Sequence, residues 1–158
     1  MPIAHDDFYE TMELIGRVVE RMAGVYSTPH DFGTGDLLHR AEIHTVQAIG
    51  DYPGLSVTAL AKRLKVTKGA VSQMVGRLLK KKLVERTYVP GSAKETQLHL
   101  TRRGLVARKG HEAYHAKMHG FLKDCLGSRF KQRAALYRDV FTELESVLDQ
   151  MESVRSRG

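Results

Sequence analysis

The sequence has few of the features that cross-link a chain or anchor it in a membrane. Cys125 is the one cysteine among 158 residues, which excludes an intramolecular disulfide and a metal site built from several cysteines. No apolar run approaches the roughly 18 residues that a membrane-spanning helix needs. The acidic, mixed N-terminus lacks the cationic and apolar segments of a signal peptide. The composition, 42% hydrophobic and 27% charged, predicts one folded domain in the reducing cytoplasm.

Acidic residues are missing from one long stretch, since none occurs between Asp51 and Glu85. Residues 52–110 hold 14 basic and 2 acidic residues, a net of +12. Residues 1–51 have a net of −6, from 3 basic and 9 acidic residues. Charge segregated in this way favours a polyanionic partner, which gains affinity from the release of counterions. An anionic membrane surface is the lesser alternative, and a solvated basic face without a partner is the interpretation that a Lys/Arg excess alone would allow.

Hydrophobic spacing and turn residues predict a mainly helical chain with one β-hairpin. Ser56, Thr67 and Thr101 are the predicted N-caps. The predicted helices span 7–27, 36–49, 57–64, 68–82, 101–126 and 129–153, with strands at 83–89 and 95–100 around a turn at 90–94. Only Lys65 and Val66 separate the third and fourth helices, so these two helices must cross steeply.

Two helices joined by a tight turn and followed by a hairpin are the elements of a winged helix-turn-helix. The apolar residues of the pair support this fold, because they form one inward stripe on each helix. The stripes comprise Leu60, Ala61, Leu64 and Val66 on the first helix and its turn, and Val71, Met74, Val75 and Leu78 on the second. We therefore expect a mainly α fold with a small β-wing.

The opposite face of helix 68–82 is small, polar or basic, as a helix that enters the major groove must be. Gln and Arg pair bidentately with adenine and guanine edges, and glycine lets a backbone approach closely. The candidate DNA-binding residues are Thr67, Lys68, Gly69, Ser72, Gln73 and Arg77, with Arg86 and Lys94 in the wing. A surface helix and hairpin with no partner would show some of these residues, but not together with the spacing and the charge.

Three stretches of the sequence, Leu60–Ser72, Leu78–Arg86 and Leu100–Gly104, resemble the MarR family of bacterial transcriptional regulators. The resemblance implies an obligate homodimer, with interlocked N- and C-terminal helices and two winged helices that grip a palindromic double-stranded DNA operator. It divides this single chain into a DNA-binding lobe at 36–104 and dimerisation helices at 1–35 and 105–158. Two departures stand out: Lys65 replaces the usual turn glycine, and the wing at 90–94 lacks the usual Asp-Arg-Arg run.

The dimer also follows from physical reasoning. The terminal helices are long and amphipathic, and they flank a winged helix of only about 70 residues. One chain would struggle to cover both apolar stripes, whereas two chains would bury them. Two chains would also set two recognition helices about one DNA turn apart.

Histidines repeat along the fifth predicted helix. His111, His115 and His119 follow at intervals of four residues, and such pairs can offer two imidazoles to one metal ion. His44 lies midway along helix 36–49, with Glu42 nearby. A solvated face, hydrogen bonds within a polar dimer seam and a pH response near neutrality are the alternatives. His5, His30, His39 and His99 show no such pattern.

A narrower resemblance, to the zinc-responsive AdcR-like branch of the family, rests on these histidines. That branch uses one histidine of the second helix, which His44 resembles, and a His-x-x-x-His pair in the fifth, which His111 and His115 resemble. It also takes a carboxylate from the first helix region, for which Glu20 is the nearest candidate, while Glu42 adjoins His44. The resemblance implies a site for zinc or another divalent metal. The cysteine of that branch's second site has no counterpart, because Cys125 is far along the chain.

The predicted function is a DNA-binding regulator, most simply a repressor, whose DNA affinity a divalent metal modulates. One alternative keeps the DNA binding and replaces the metal by an organic effector such as a phenolic acid, or by an oxidant acting at Cys125. A remote alternative is a small metallohydrolase, because His111 to His115 match the string His-Glu-x-x-His. The context argues against an enzyme, since a basic winged helix precedes the string and no substrate cleft is evident.

Overall fold

A computed structural model describes residues 5–88 and 96–155 of the chain. It contains six α-helices, two short strand pairs and one 3-10 turn in these residues. The elements are α1 His5–Ser27, β1 His30–Asp31, β2 Leu37–Leu38, α2 Arg40–Asp51, α3 Val57–Leu64, α4 Lys68–Lys80, β3 Val84–Tyr88, β4 Thr96–Leu100, α5 Arg102–Leu126, the 3-10 turn Gly127–Arg129, and α6 Phe130–Arg155.

The three predicted caps form as expected. The Ser56 hydroxyl accepts from the amide of Ala59 at 3.2 Å, and the Thr67 hydroxyl accepts from Ala70 at 3.2 Å. The Thr101 hydroxyl accepts from the amide at position 104 at 3.0 Å. Each bond satisfies an amide that the first turn of a helix leaves without a partner, which is why α3, α4 and α5 begin where they do.

The hydrophobic core lies between α2, α3, α4 and the hairpin. Its fully buried side chains include Val46 and Ile49 of α2, Leu60 of α3, Val71, Val75 and Leu78 of α4, and Leu83 and Leu98 beside the hairpin. The strands β3 and β4 pair antiparallel, with Val84 opposite Leu100. A single antiparallel bridge joins Leu55, just before α3, to Leu98 of β4. The fold is therefore a mainly helical winged helix-turn-helix with a small β-wing.

The start of the second predicted helix is wrong. Residues 36–39 are not helical, because β2 pairs with β1 and α2 begins at Arg40. The carboxylate of Asp31 accepts from the amides of Gly33, Thr34 and Gly35 at 2.8–3.0 Å, which folds the intervening loop. A strand pair of two residues on each side carries too little pattern to distinguish it from a helix start.

Smaller corrections concern the helix-turn-helix. The helix predicted over 68–82 ends at Lys80, because Lys82 adopts a left-handed φ of 57°. The turn residue Lys65 is also left-handed, with φ 53°, and it stands at the position where the resembled family usually has glycine. The predicted inward position of Val66 is wrong, since its side chain is 42% exposed just after that turn.

The chain forms two compact units, one ending at Ala113 and the other starting at Tyr114, within α5. In the second unit, no residue of the described α6 is buried. Its exposed apolar side chains are Leu136, Tyr137, Val140, Phe141, Val147, Leu148, Met151 and Val154. In the first unit, α1 exposes a similar set: Met12, Leu14, Val18, Val19, Met22, Val25 and Tyr26.

Candidate functional site

The helix α4 separates its residues as the sequence predicts. Val71, Met74, Val75 and Leu78 are buried on one side. On the other side Lys68, Gly69, Ser72, Gln73 and Arg77 are exposed. The outer face therefore combines hydrogen-bonding groups, two cations and a glycine, which suits contact with base edges and phosphates.

A groove runs beside α4, between the start of α3 and the wing. It is lined in part by Lys68, Ser72, Arg86 and Gln97. Arg86 lies opposite Leu98 in the hairpin and is exposed. Lys94 is outside the described residues. Contact of any of the predicted DNA-binding residues with DNA stays a prediction. Gln97 was not predicted as a site residue, because a polar residue in a short strand carries no distinguishing local signal.

A buried carboxylate lies at the inner side of α4. Glu42 of α2 is 2% exposed, and its two oxygens accept from Nζ of Lys81 at 2.9 and 3.0 Å. One oxygen also accepts from the amide of His39 at 3.1 Å, and the other lies 3.5 Å from Nε of Arg77. Burial acts to raise the pKa of Glu42, but Lys81, the His39 amide and Arg77 outweigh it and hold that pKa below its ordinary value.

Arg103 at the start of α5 contacts both the residue after α4 and the loop between β1 and β2. Its guanidinium donates to the carbonyl of Lys81 at 2.8 Å and to the carbonyl of Thr34 at 2.6 Å. It also forms an ion pair with Asp36 at 2.9 Å. The C-terminal end of α4 is therefore held through Lys81 from two directions, by the carboxylate of α2 and by the guanidinium of α5.

Three of the predicted metal ligands come together. His44, His111 and His115 each offer a ring nitrogen, and these atoms lie within 4.8 Å of one another. The ring centroids of His44 and His111 are 5.4 Å apart, and the ring of Phe32 meets His111 edge-on at 5.4 Å. His111 is buried and His115 is exposed.

The other candidate ligands stand apart from this group in the described chain. Glu42 is bound to Lys81, and Glu20 is an exposed residue of α1 outside the group. His119 contacts the ring of Phe130 at a centroid distance of 5.1 Å. Imidazole nitrogens are donors that zinc and related divalent metals prefer, and His115 is exposed, so the cluster could hold a metal ion.

Comparison with known proteins agrees with the fold. The family model described as MarR family matches residues 38–95. The chain is 30% identical over 122 residues to YvnA of Bacillus subtilis (strain 168), an uncharacterised HTH-type transcriptional regulator, covering 72% of this chain and 77% of YvnA. It is 31% identical over 87 residues to YhjH of the same organism, another such regulator, covering 55% of this chain and spanning half the length of YhjH.

Solved structures share the fold at low sequence identity. Streptococcus pneumoniae FabT in complex with DNA has a TM-score of 0.69 and 21% identity, covering 91% of this chain and 99% of FabT. The zinc-responsive MarR family member ZitR of Lactococcus lactis has a TM-score of 0.64 and 16% identity, covering 86% of this chain and 97% of ZitR.

The helix pair α3 and α4 with its tight turn, the exposed cationic face of α4 and the hairpin wing define a transcriptional regulator of the winged helix-turn-helix class. Within that class, the chain belongs to the MarR family. The expectation that it is not an enzyme is confirmed by this membership. Among the described residues, no helix combines the length and apolar character that crossing a membrane requires.

Proposed function

We propose that the protein is a homodimeric, cytoplasmic regulator that binds a palindromic duplex through α4 and responds to a divalent metal. The observation that carries the DNA-binding part is the outer face of α4, which is exposed, polar and free of acidic residues. Its core side chains fix the helix in place, so the readers Ser72, Gln73 and Arg77 project from a rigid element.

The homodimer is proposed from the apolar faces of α1 and α6. Phe141, Leu148 and Val154 are 56%, 59% and 72% exposed, which is costly for large apolar side chains in water. A second copy of the same chain presents the same faces, so a symmetric pair can bury them. The DNA-binding lobe at 36–104 and the dimerisation helices at 1–35 and 105–158 are part of this proposal.

The metal part of the proposal rests on the three-imidazole cluster. His44 of α2, with His111 and His115 of α5, would hold the ion. A bound divalent cation supplies a cross-link between side chains of these two helices. α2 packs against α4 through Thr45, whose hydroxyl lies 3.4 Å from the sulfur of Met74. The zinc-responsive character of ZitR, a structural neighbour, makes Zn²⁺ the first ion to test.

DNA binding is tested with duplexes selected by the wild-type protein from a random pool. We expect the logarithm of the affinity to fall linearly with the logarithm of the salt concentration. Arg77→Ala should cost about 1–3 kcal/mol on the selected duplex. Arg17→Ala removes the same charge from the exposed side of α1 and serves as the matched control. Salt-insensitive binding, or equal affinities for the two variants, contradicts the proposal.

Metal binding is tested on protein purified without a histidine tag. Metal analysis and titration with Zn²⁺ and a panel of divalent ions should give one site per chain, which His111→Ala and His115→Ala abolish. His119→Ala is the matched control, because His119 lies one turn further along α5 and outside the cluster. DNA affinity is then compared with and without EDTA. Unchanged stoichiometry in both cluster variants would leave an organic effector or an oxidant at Cys125 as the signal.

A further inference from the structure

A buried carboxylate of α2 lies beside α4, and DNA binding by α4 does not require it. The segment between Asp51 and Glu85 contains no acidic residue, as a surface that meets phosphates would favour. α2 nevertheless contributes the buried carboxylate of Glu42 to the same lobe, within ion-pair distance of a candidate base reader, Arg77. Glu42 has a structural role, because it accepts from the amide of His39 at the start of α2 and pairs with Lys81. Its closeness to Arg77 is a second feature, since a negative charge at this place weakens the attraction of Arg77 for any duplex.

Lys81 holds this carboxylate in a defined position. The Nζ of Lys81 donates to both oxygens of Glu42 and to the carbonyl of Leu37 at 3.0 Å, and this uses all three of its protons. Lys81 therefore serves the fold, although it lies in a run of three lysines that the sequence places beside the DNA-binding helix. Lys81 and the amide of His39 both bind the carboxylate, which defines its position beside Arg77.

Arg77 approaches the same carboxylate from the surface. Its Nε lies 3.5 Å from Oε1 of Glu42, while its side chain remains 53% exposed. An arginine that reads guanine end-on uses its two terminal amino groups and leaves Nε for another acceptor. A fixed anion at the Nε side restrains the stem of the side chain and leaves the reading end accessible to a base.

We propose that Glu42 is a positioning residue that sets the base specificity of Arg77. The proposal rests on the proposed function, because it requires α4 to lie in the major groove. Glu42 restrains the guanidinium before DNA arrives, so less freedom is lost when a base is read. Its charge also lowers the affinity of Arg77 for phosphates in general. Glu42 thus raises discrimination between bases and reduces non-specific binding at the same time.

The decisive variant is Glu42→Gln, measured in EDTA on the selected duplex, its single-base substitutions and an unrelated duplex. Discrimination at one base pair per half-site should fall about tenfold, a part of the roughly 5- to 150-fold that a bidentate arginine contact supplies. Affinity for the unrelated duplex should rise severalfold at low salt, because a negative charge has gone. A general loss of folding would lower both affinities together.

Two controls separate positioning from charge and from packing. Asp51→Asn removes a carboxylate from the same helix, at a place where it binds Arg108, and should leave the base profile unchanged. Glu42→Asp keeps the charge and withdraws the oxygens by one methylene. It should reduce discrimination while leaving affinity for the unrelated duplex unchanged, and it supplies the test if Glu42→Gln fails to fold.

Arg77→Ala makes the test specific to the proposed pair. In that background, Glu42→Gln should change discrimination no further, because the residue that it positions is absent. If Arg77→Ala alters the base profile and neither Glu42 variant does, the positioning role is wrong while the DNA-binding face stands. If Arg77→Ala itself has no effect on DNA binding, the assignment of α4 as the reading helix fails first.

Discussion

Gly76 should respond to alanine substitution with opposite changes in stability and in DNA affinity. It lies in the interior of α4, and a Cβ built there meets no heavy atom within 4 Å. Alanine therefore fits without a clash and gains the difference in helix propensity, about 1 kcal/mol. For a chain of this size, that gain raises the melting temperature by about 2–4 °C.

The loss of DNA affinity arises from the same methyl group. Gly76 lies one turn after Ser72 and next to Arg77, on the edge of the outer face. In the proposed complex a side chain there would stand between the helix backbone and the bases, and overpacking of such a close contact costs about 1–3 kcal/mol. Thermal unfolding and a fluorescence anisotropy titration on the selected duplex measure the two effects on one preparation.

Gly104→Ala is the matched comparison for stability, because this glycine also lies in a helix of the same lobe. A Cβ at that position would collide with the backbone carbonyl of Leu83 and lie 3.3 Å from Cβ of Leu100. The variant should lose stability although alanine is the better helix former. A Gly76→Ala protein that is more stable and binds the duplex as tightly as the wild type would refute the close approach of α4 to DNA.

Three further changes have definite expected results. The folded state holds the pKa of Glu42 below its ordinary 4.5, so the ionised carboxylate stabilises the fold above that pH, and this contribution is lost as the pH falls through the lower folded pKa. In Glu42→Gln, the urea concentration at the unfolding midpoint should therefore fall less steeply with decreasing pH in the acid range than in the wild type. Gly110→Ala should weaken Zn²⁺ binding about 10- to 100-fold in a competition titration. The new Cβ would displace the backbone of Phe32, whose ring contacts His111. Gly120→Ala is the control and should leave Zn²⁺ binding unchanged, because its Cβ meets open space. Lys65→Gly should relieve the left-handed turn by about 1 kcal/mol in urea unfolding, whereas Lys65→Ala retains the strain.

Local signals in the sequence were sufficient for the helix-turn-helix. Ser56 and Thr67 each stand immediately before an apolar repeat, and a capping hydroxyl depends on an amide only three residues away. The inward stripe of α4 could also be predicted in full, because its apolar residues recur with the 3.6-residue period of a single helix. The pair His111 and His115 could be predicted from their spacing, because they share a helix face. The choice of His44 as a third ligand depended on the family resemblance.

Features that depend on distant partners were beyond the sequence. Glu42 was a candidate metal ligand because of its closeness to His44, but its side chain binds Lys81, 39 residues further along the chain. The pairing of Leu37 and Leu38 with His30 and Asp31 is likewise too short to carry a period. In both cases the deciding interaction is a hydrogen bond between segments whose approach only the complete fold determines.

The two candidate sites are connected by the geometry of α2 itself. Glu42 and His44 are two residues apart on this helix, so they project about 200° apart around its axis. Glu42 therefore reaches Lys81 at the end of α4 while His44 faces His111 of α5. Ile43, Val46 and Ile49 of α2 are almost completely buried, so we expect this helix to move as a unit, and a shift that displaces His44 would displace Glu42 with it. A ligand at His44 can alter DNA affinity only by the difference between its binding free energies for two placements of α2, and the DNA must alter the affinity for that ligand by the same factor.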